Sequence, residues 1–135
     1  MATKIFVNLP VKNLGRSMQF FTSMGFSFNP QFTGETSACM VISESIFVML
    51  EEEARFKEAT QKPVTDTATS TEVIIALDAE SRSEVDATVE RAVKAGGSDR
   101  NNIQDHGFMY AHGFQDPDGH LWELLWMDMT AIPQE

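Results

Sequence analysis

Apolar and polar positions change their period several times along the chain. Ile5, Phe6, Val7 and Leu9 lie in a run rich in strand formers, which predicts a strand over 4–11. Leu14, Met18, Phe21 and Met24 then recur at helical spacing, and Gly25 stands where a helix C-terminus is capped. A short strand is expected at 26–28, ahead of Asn29-Pro30. The runs SACMVIS (37–43) and IFVML (46–50) read as two strands of a hairpin closed at Glu44-Ser45. EEEARFKEAT (51–60) has the composition of a short helix, with its acids first, where the helix dipole favours them. The polar stretch QKPVTDTATST (61–71) reads as a connector.

The order then restarts. TEVIIALDA (71–79) predicts a strand, and SRSEVDATVERAVKAGG (81–97) an amphipathic helix with Val85, Val89, Ala92 and Val93 on its apolar stripe. Ser81 or Ser83 would cap that helix, and Gly96-Gly97 would end it. RNNIQD (100–105) leaves room for a short strand. GFMYAHGF (107–114) and HLWELLWM (120–127) predict two strands on either side of Asp116-Pro117-Asp118-Gly119, whose Pro and Gly suit a type I turn. Each half therefore runs strand, helix and about three strands. The repeat is one of element order, since the halves share little direct identity. The expected class is α+β, a single domain over 1–135, with one βαβββ module at about 1–60, a linker at 61–70 and a second module at about 71–128.

Composition narrows the function classes. The chain has 135 residues, enough to bury a core without staples, and 42% of them are hydrophobic. A single cysteine, Cys39, excludes an internal disulfide. No Cys/His cluster of the structural-zinc kind is present. A net charge of −10 repels phosphate backbones and anionic membrane surfaces, so neither nucleic acid nor membrane is an expected partner. With no signal-peptide pattern and no apolar run of membrane-spanning length, the expected location is cytoplasmic. Phosphate-loop, G-x-S-x-G and H-E-x-x-H motifs are absent.

Within the last predicted strand, Leu121, Glu123 and Leu125 share one face, and His120, Trp122, Leu124 and Trp126 share the other. Two tryptophans are best buried against a helix, which leaves Glu123 on the opposite side. That carboxylate acts on a ligand or merely supports the sheet. On the preceding strand Tyr110, His112 and Phe114 share a face, with the direction of that face left open. If they point the same way as Glu123, His112 and Glu123 form an acid/base pair or two ligands of an unusual metal site. If not, His112 is a structural imidazole. His106 and His120 flank turns and read as structural or solvent-facing, and Cys39 as a small buried hydrophobe.

The element order, together with NLPVKNLGRSMQFFTSMGF near the start, VDATVERAVKAGG in the second half and the closing F-x-DPDG-x-x-WEL, resembles the vicinal oxygen chelate superfamily. That superfamily includes glyoxalase I, bleomycin-resistance proteins and extradiol dioxygenases. The resemblance implies two βαβββ modules whose sheets curl around a cleft, a small organic molecule as ligand, and pairing as a homodimer. Metal-dependent relatives carry four ligands there, on the first and last strand of each module. Glu123 matches the fourth position. The other three fall on Phe6, Met49 and Ile74, with Glu51 and Glu72 each two residues away on the expected face. Glu123 is thus the sole match to the family ligand pattern, and a divalent metal is an open possibility with an incomplete ligand set. The implied site contains Glu123 and His112 as catalytic candidates, with Phe6, Asn8, Met49, Glu72, Ile74 and Tyr110 as substrate-contacting candidates. Asn8 would orient a substrate carbonyl, and Met40, Met49 and Phe47 would form an adaptable apolar wall. Two functions follow from the resemblance. One is an enzyme of the lyase, isomerase or dioxygenase type, and the other a non-catalytic binding or sequestering protein of the bleomycin-resistance type.

Overall fold

A computed structural model describes residues 1–131. The chain divides into two compact units, Met1–Asp66 and Thr67 onward. In the first, β1 (Ile5–Val11) leads into α1 (Leu14–Ser23). The side chain of Asn13 caps α1 by accepting the Arg16 N–H at 3.0 Å. Helix α1 ends at Met24 because Gly25 follows with φ +104, a conformation that costs a residue with Cβ. Then come β2 (Ser27–Asn29), a 3-10 turn at Pro30–Phe32, β3 (Ser37–Val41), β4 (Ile46–Glu52) and α2 (Glu53–Thr60). β3 and β4 pair as the expected hairpin, and β4 lies parallel to β1, giving the sheet order β1-β4-β3-β2. The strand face carrying Leu9, Val11, Met40, Val48 and Leu50 is buried together with Leu14, Phe20 and Phe21 of α1. Each fully buried side chain of this size contributes roughly 1.5–3 kcal/mol of transfer free energy.

The second unit repeats this plan. β5 (Ile74–Asp78) is followed by α3 (Arg82–Ala95), the two short pairings β6 (Ser98–Asp99) and β7 (Gln104–Asp105), β8 (Met109–Gln115) and β9 (Leu121–Met127). β9 lies parallel to β5 and antiparallel to β8, and β6 and β7 take turns on the outer edge of β8. In both sheets the first strand therefore sits beside the last, the arrangement of a βαβββ module made twice. Of the two candidate caps for α3, Ser81 is the one that accepts, from Glu84 N at 3.1 Å, and Gly96 ends the helix at φ +117. Val85, Val89 and Ala92 are buried under α3, together with Phe114 and Trp122, whose rings stack at 6.1 Å.

One sequence expectation shifts here. The strand expected from 71 begins at Ile74, so Glu72 lies in the bend before β5 and not on its face. The short strand expected within 100–105 is β7, and 100–103 reaches it as loop from β6, just ahead of that stretch.

Candidate functional site

The site is built from the turn that precedes β9. Gly119 N–H donates to Asp116 O at 2.9 Å, closing the expected four-residue turn, and Gly119 holds φ +83. The Asp116 side chain does more than start this turn. Its Oδ1 accepts the N–H groups of Asp118 (2.9 Å) and His120 (3.0 Å), and its Oδ2 accepts Trp122 Nε1–H at 3.0 Å. Asp116 is almost wholly buried, and that burial pushes its carboxyl above the usual range against the pull of these donors. The clamp ties the turn to the first tryptophan of β9 and so pins the register of the strand.

With Trp122 and Leu124 buried and Trp126 under the Arg82 guanidinium of α3, Glu123 lies on the face turned away from that helix. Leu121 and Leu125 flank it along the strand, and all three are half-buried. Across the sheet its partners are Ala76 on β5 and Gly113 on β8. Glu123 thus stands in a row of the smallest residues, with Ala76 on one side and Gly113 on the other. Among the described residues its side chain has no hydrogen bond or ion pair. Ile74, at the family ligand position on β5, pairs with Leu121 and is 48% exposed, and the β5 residue opposite Glu123 is Ala76.

His112 and Tyr110 do not join it. β8 pairs His112 with Leu124 and Tyr110 with Trp126, which places both on the α3 side. The Tyr110 hydroxyl donates to Asp86 Oδ1 at 2.8 Å, and this carboxylate raises the tyrosine pKa. The buried His112 ring lies between two carboxylates, with Nδ1 3.2 Å from Asp86 and Nε2 2.8 Å from Asp99. A neutral imidazole has a single N–H and donates to one of them, whereas the imidazolium donates to both. The Asn101 N–H, and after it His112, hold Asp99 below the usual carboxylate range. A cavity of about 470 Å³ opens beside this cluster, with Val93 and Ile103 on its rim. The possible His112–Glu123 pair is therefore corrected: the two side chains lie on opposite faces of one sheet, because neighbouring strand positions alternate.

In the first unit Phe6, Asn8, Phe47 and Met49 share the face turned away from α1, since Phe6 pairs with Phe47 and Asn8 with Met49. The Phe6 and Phe47 rings stack at 4.8 Å. Asn8 Nδ2 donates to Phe6 O at 3.2 Å, a local bond that occupies one of its two amide N–H groups. Met40 lies on the opposite, α1 side, fully buried, and does not share the Met49 wall. Glu51 is buried at the end of β4, 3.9 Å from Arg55. Cys39 is buried, and burial pushes its thiol up.

The side chains present do not fit a transition-metal site of the kind the resemblance allows. Such ions need three or four N, O or S donors converging on one point. Glu123 has Ala76 and Gly113 as neighbours, and neither carries a donor. Among the described residues no group of three His, Cys, Asp or Glu converges.

One residue absent from the sequence reading stands beside Glu123. Arg100 N–H donates to Gly113 O at 3.1 Å, and a Cβ built on Gly113 would meet Arg100 Cδ and Nη1 at 3.0 Å. The glycine in an otherwise regular strand was the available signal, because such glycines mark close approach of another group.

A family model described as Glyoxalase/Bleomycin resistance protein/Dioxygenase superfamily matches residues 5–124. No curated protein matches the chain. Among solved structures, the hypothetical protein SA1046 from S. aureus is 28% identical, with a TM-score of 0.80 over 93% of this chain and 94% of that one. A glyoxalase-related enzyme from Fulvimarina pelagi is 20% identical at a TM-score of 0.77, over 93% and 88% of the two chains. The genomically encoded fosfomycin resistance protein FosX from Listeria monocytogenes is 19% identical at a TM-score of 0.69, over 96% and 97%. No helix among the described residues is long and apolar enough to cross a membrane.

Proposed function

We propose, for a chain that belongs to the glyoxalase/bleomycin resistance protein/dioxygenase superfamily, that it is an enzyme acting on a small organic molecule at the β9 face that carries Glu123. The observation that supports this reading is the isolation of that carboxylate. A half-buried acid flanked by Leu121 and Leu125, with Ala76 and Gly113 across the sheet, forgoes the partners that a structural carboxylate would have. Its chemistry is that of a general base or acid, taking or returning a proton at a ligand atom laid on that face. Proton transfer of this kind is a step in lyase and isomerase reactions, whereas the ring-cleaving dioxygenases of the superfamily use a metal, and among the described residues no group of three His, Cys, Asp or Glu converges to hold one. The working unit is a homodimer in a cytoplasmic setting.

A second reading is a binding protein that sequesters its ligand without turning it over. The apolar residues at the family ligand positions, Phe6, Met49 and Ile74, favour it, as does the resistance role of the Listeria neighbour.

Incubating the wild-type chain and Glu123→Gln with a metabolite extract, followed by mass spectrometry, tests both. The enzyme reading expects a compound consumed by the wild type and spared by the variant, with unfolding midpoints equal for the two proteins. A compound retained by both and released intact on denaturation moves the protein to the binding reading. An extract left unchanged and unbound by the wild type overturns both.

A further inference from the structure

We propose that Arg100 is the anion receptor of the Glu123 face, and that the ligand is a small organic carboxylate with an apolar body. This deepens the reading above and rests on it. Among the described residues, Nη1 of Arg100 is the sole buried side-chain nitrogen or oxygen without a hydrogen-bond partner. Arg100 as a whole is half-buried, but a guanidinium N–H group removed from water without an acceptor is costly, so a nitrogen left in this state marks a place where an acceptor arrives with something else.

Its position says what arrives. Between β6 and β7 the chain leaves the edge of β8 and is pinned to Gly113 from both sides. Arg100 N–H donates to Gly113 O, and Gly113 N–H donates to Asn102 Oδ1 at 2.9 Å. Asp99, the residue before, turns towards α3 to meet His112. Arg100 turns the other way. His112 and Phe114 point at α3, so the vacant Cβ direction of Gly113 points away from it, and that is where Cδ and Nη1 of Arg100 lie. The guanidinium therefore covers the glycine directly across from Glu123, one strand away, about 4.8 Å in the hydrogen-bonding direction. Yet the two charges close no ion pair.

An unpaired cation and an unpaired acid side by side on an apolar floor define a ligand with two functions. The planar fork of Arg matches a carboxylate in bidentate fashion. Leu121 and Leu125 accept an apolar body. Glu123 then stands beside the ligand's body, as the group that takes or returns a proton there. A chain of net charge −10 repels anions at long range, so a carboxylate ligand needs such a local receptor.

The experiment is a benzoate titration of isotopically labelled protein, read at the Arg Nε–Hε signals and the Gly113 and Ala76 amides. Chloride at equal ionic strength is the control. The expected result is a saturable shift of the Arg100 signal and of both amides with benzoate. Affinity falls tenfold or more in Arg100→Gln and less in Arg100→Lys, while Glu123→Gln, which removes the neighbouring like charge, strengthens it several-fold. Matching amide spectra of the unliganded variants establish that they fold. Shifts that chloride reproduces, or benzoate binding that survives Arg100→Gln unchanged, overturn the proposal and leave the role of Glu123 standing. Binding that needs Arg100 but is indifferent to Glu123→Gln upholds the receptor and removes Glu123 from the site.

Discussion

Replacing Asp116 should loosen the element on which the placement of Glu123 depends. The carboxylate accepts three N–H groups, from Asp118, His120 and the Trp122 indole. Asp116→Ala removes both acceptor oxygens and with them all three hydrogen bonds. Two of the donors belong to buried residues, and each buried donor left unmade costs about 1–3 kcal/mol. The turn residue Asp118 is more accessible and recovers part of its loss in water. Against these losses, the variant no longer buries a charge, which returns part of the cost. The net expectation is about 4 kcal/mol of destabilisation for Ala. Asn keeps one acceptor oxygen for Asp118 and His120 but turns an NH₂ towards the indole N–H, so about 2 kcal/mol is expected for Asp116→Asn. Both tryptophans lie on β9, so fluorescence in a urea titration reports this unit. At a slope of about 1.5 kcal/mol/M, the midpoints should fall by about 2.7 M for Ala and about 1.3 M for Asn. A double-mutant cycle with Trp122→Phe should recover about 1 kcal/mol or more of coupling. Midpoints within 0.3 M of wild type for both variants, or Asn lower than Ala, would refute the clamp.

Gly113→Ala should destabilise by about 1–3 kcal/mol, since the new Cβ would sit 2.8 Å from Trp122 O, a backbone atom that cannot step aside; an unchanged urea midpoint would show that the sheet has slack there. Ser81→Ala should cost about 1 kcal/mol by removing the cap on Glu84 N, measured the same way. Asp105 is drawn down to about 2, first by its hydrogen bonds from Arg82. Its folded-state pKa lies below the ordinary carboxylate value, so its stabilisation is present above about pH 4 and is lost as pH falls through about 2. Asp105→Asn should therefore flatten the pH dependence of stability between about 4 and 2, and an acid limb identical to wild type would contradict the pairing.

Much of the architecture follows from local chemistry. Asn13, Gly25, Ser81 and Gly96 mark helix ends because capping and positive φ involve only a few adjacent atoms. The pairing of β3 with β4 follows from two strand-forming runs a few residues apart. The placement of Glu123 was also legible. Strand alternation separates it from Trp122 and Trp126, and two indoles on one face declare which side a helix covers.

The tertiary structure decided the rest. Alternation says that Tyr110, His112 and Phe114 share a face, but β8 carries no pair of indoles to orient it. Only its register with β9 sends His112 to Asp86 and Asp99 and away from Glu123. The partner of Glu123 on β5 is Ala76, because a parallel register is set by packing over the whole module and not by any local turn. Asp116 reads as an ordinary turn residue until the indole six positions later folds back onto it. Arg100 lies in an irregular stretch with no period to read. Its place over Gly113 exists only once residues 100–103 are fastened to the edge of β8, a contact between segments that are separate along the chain.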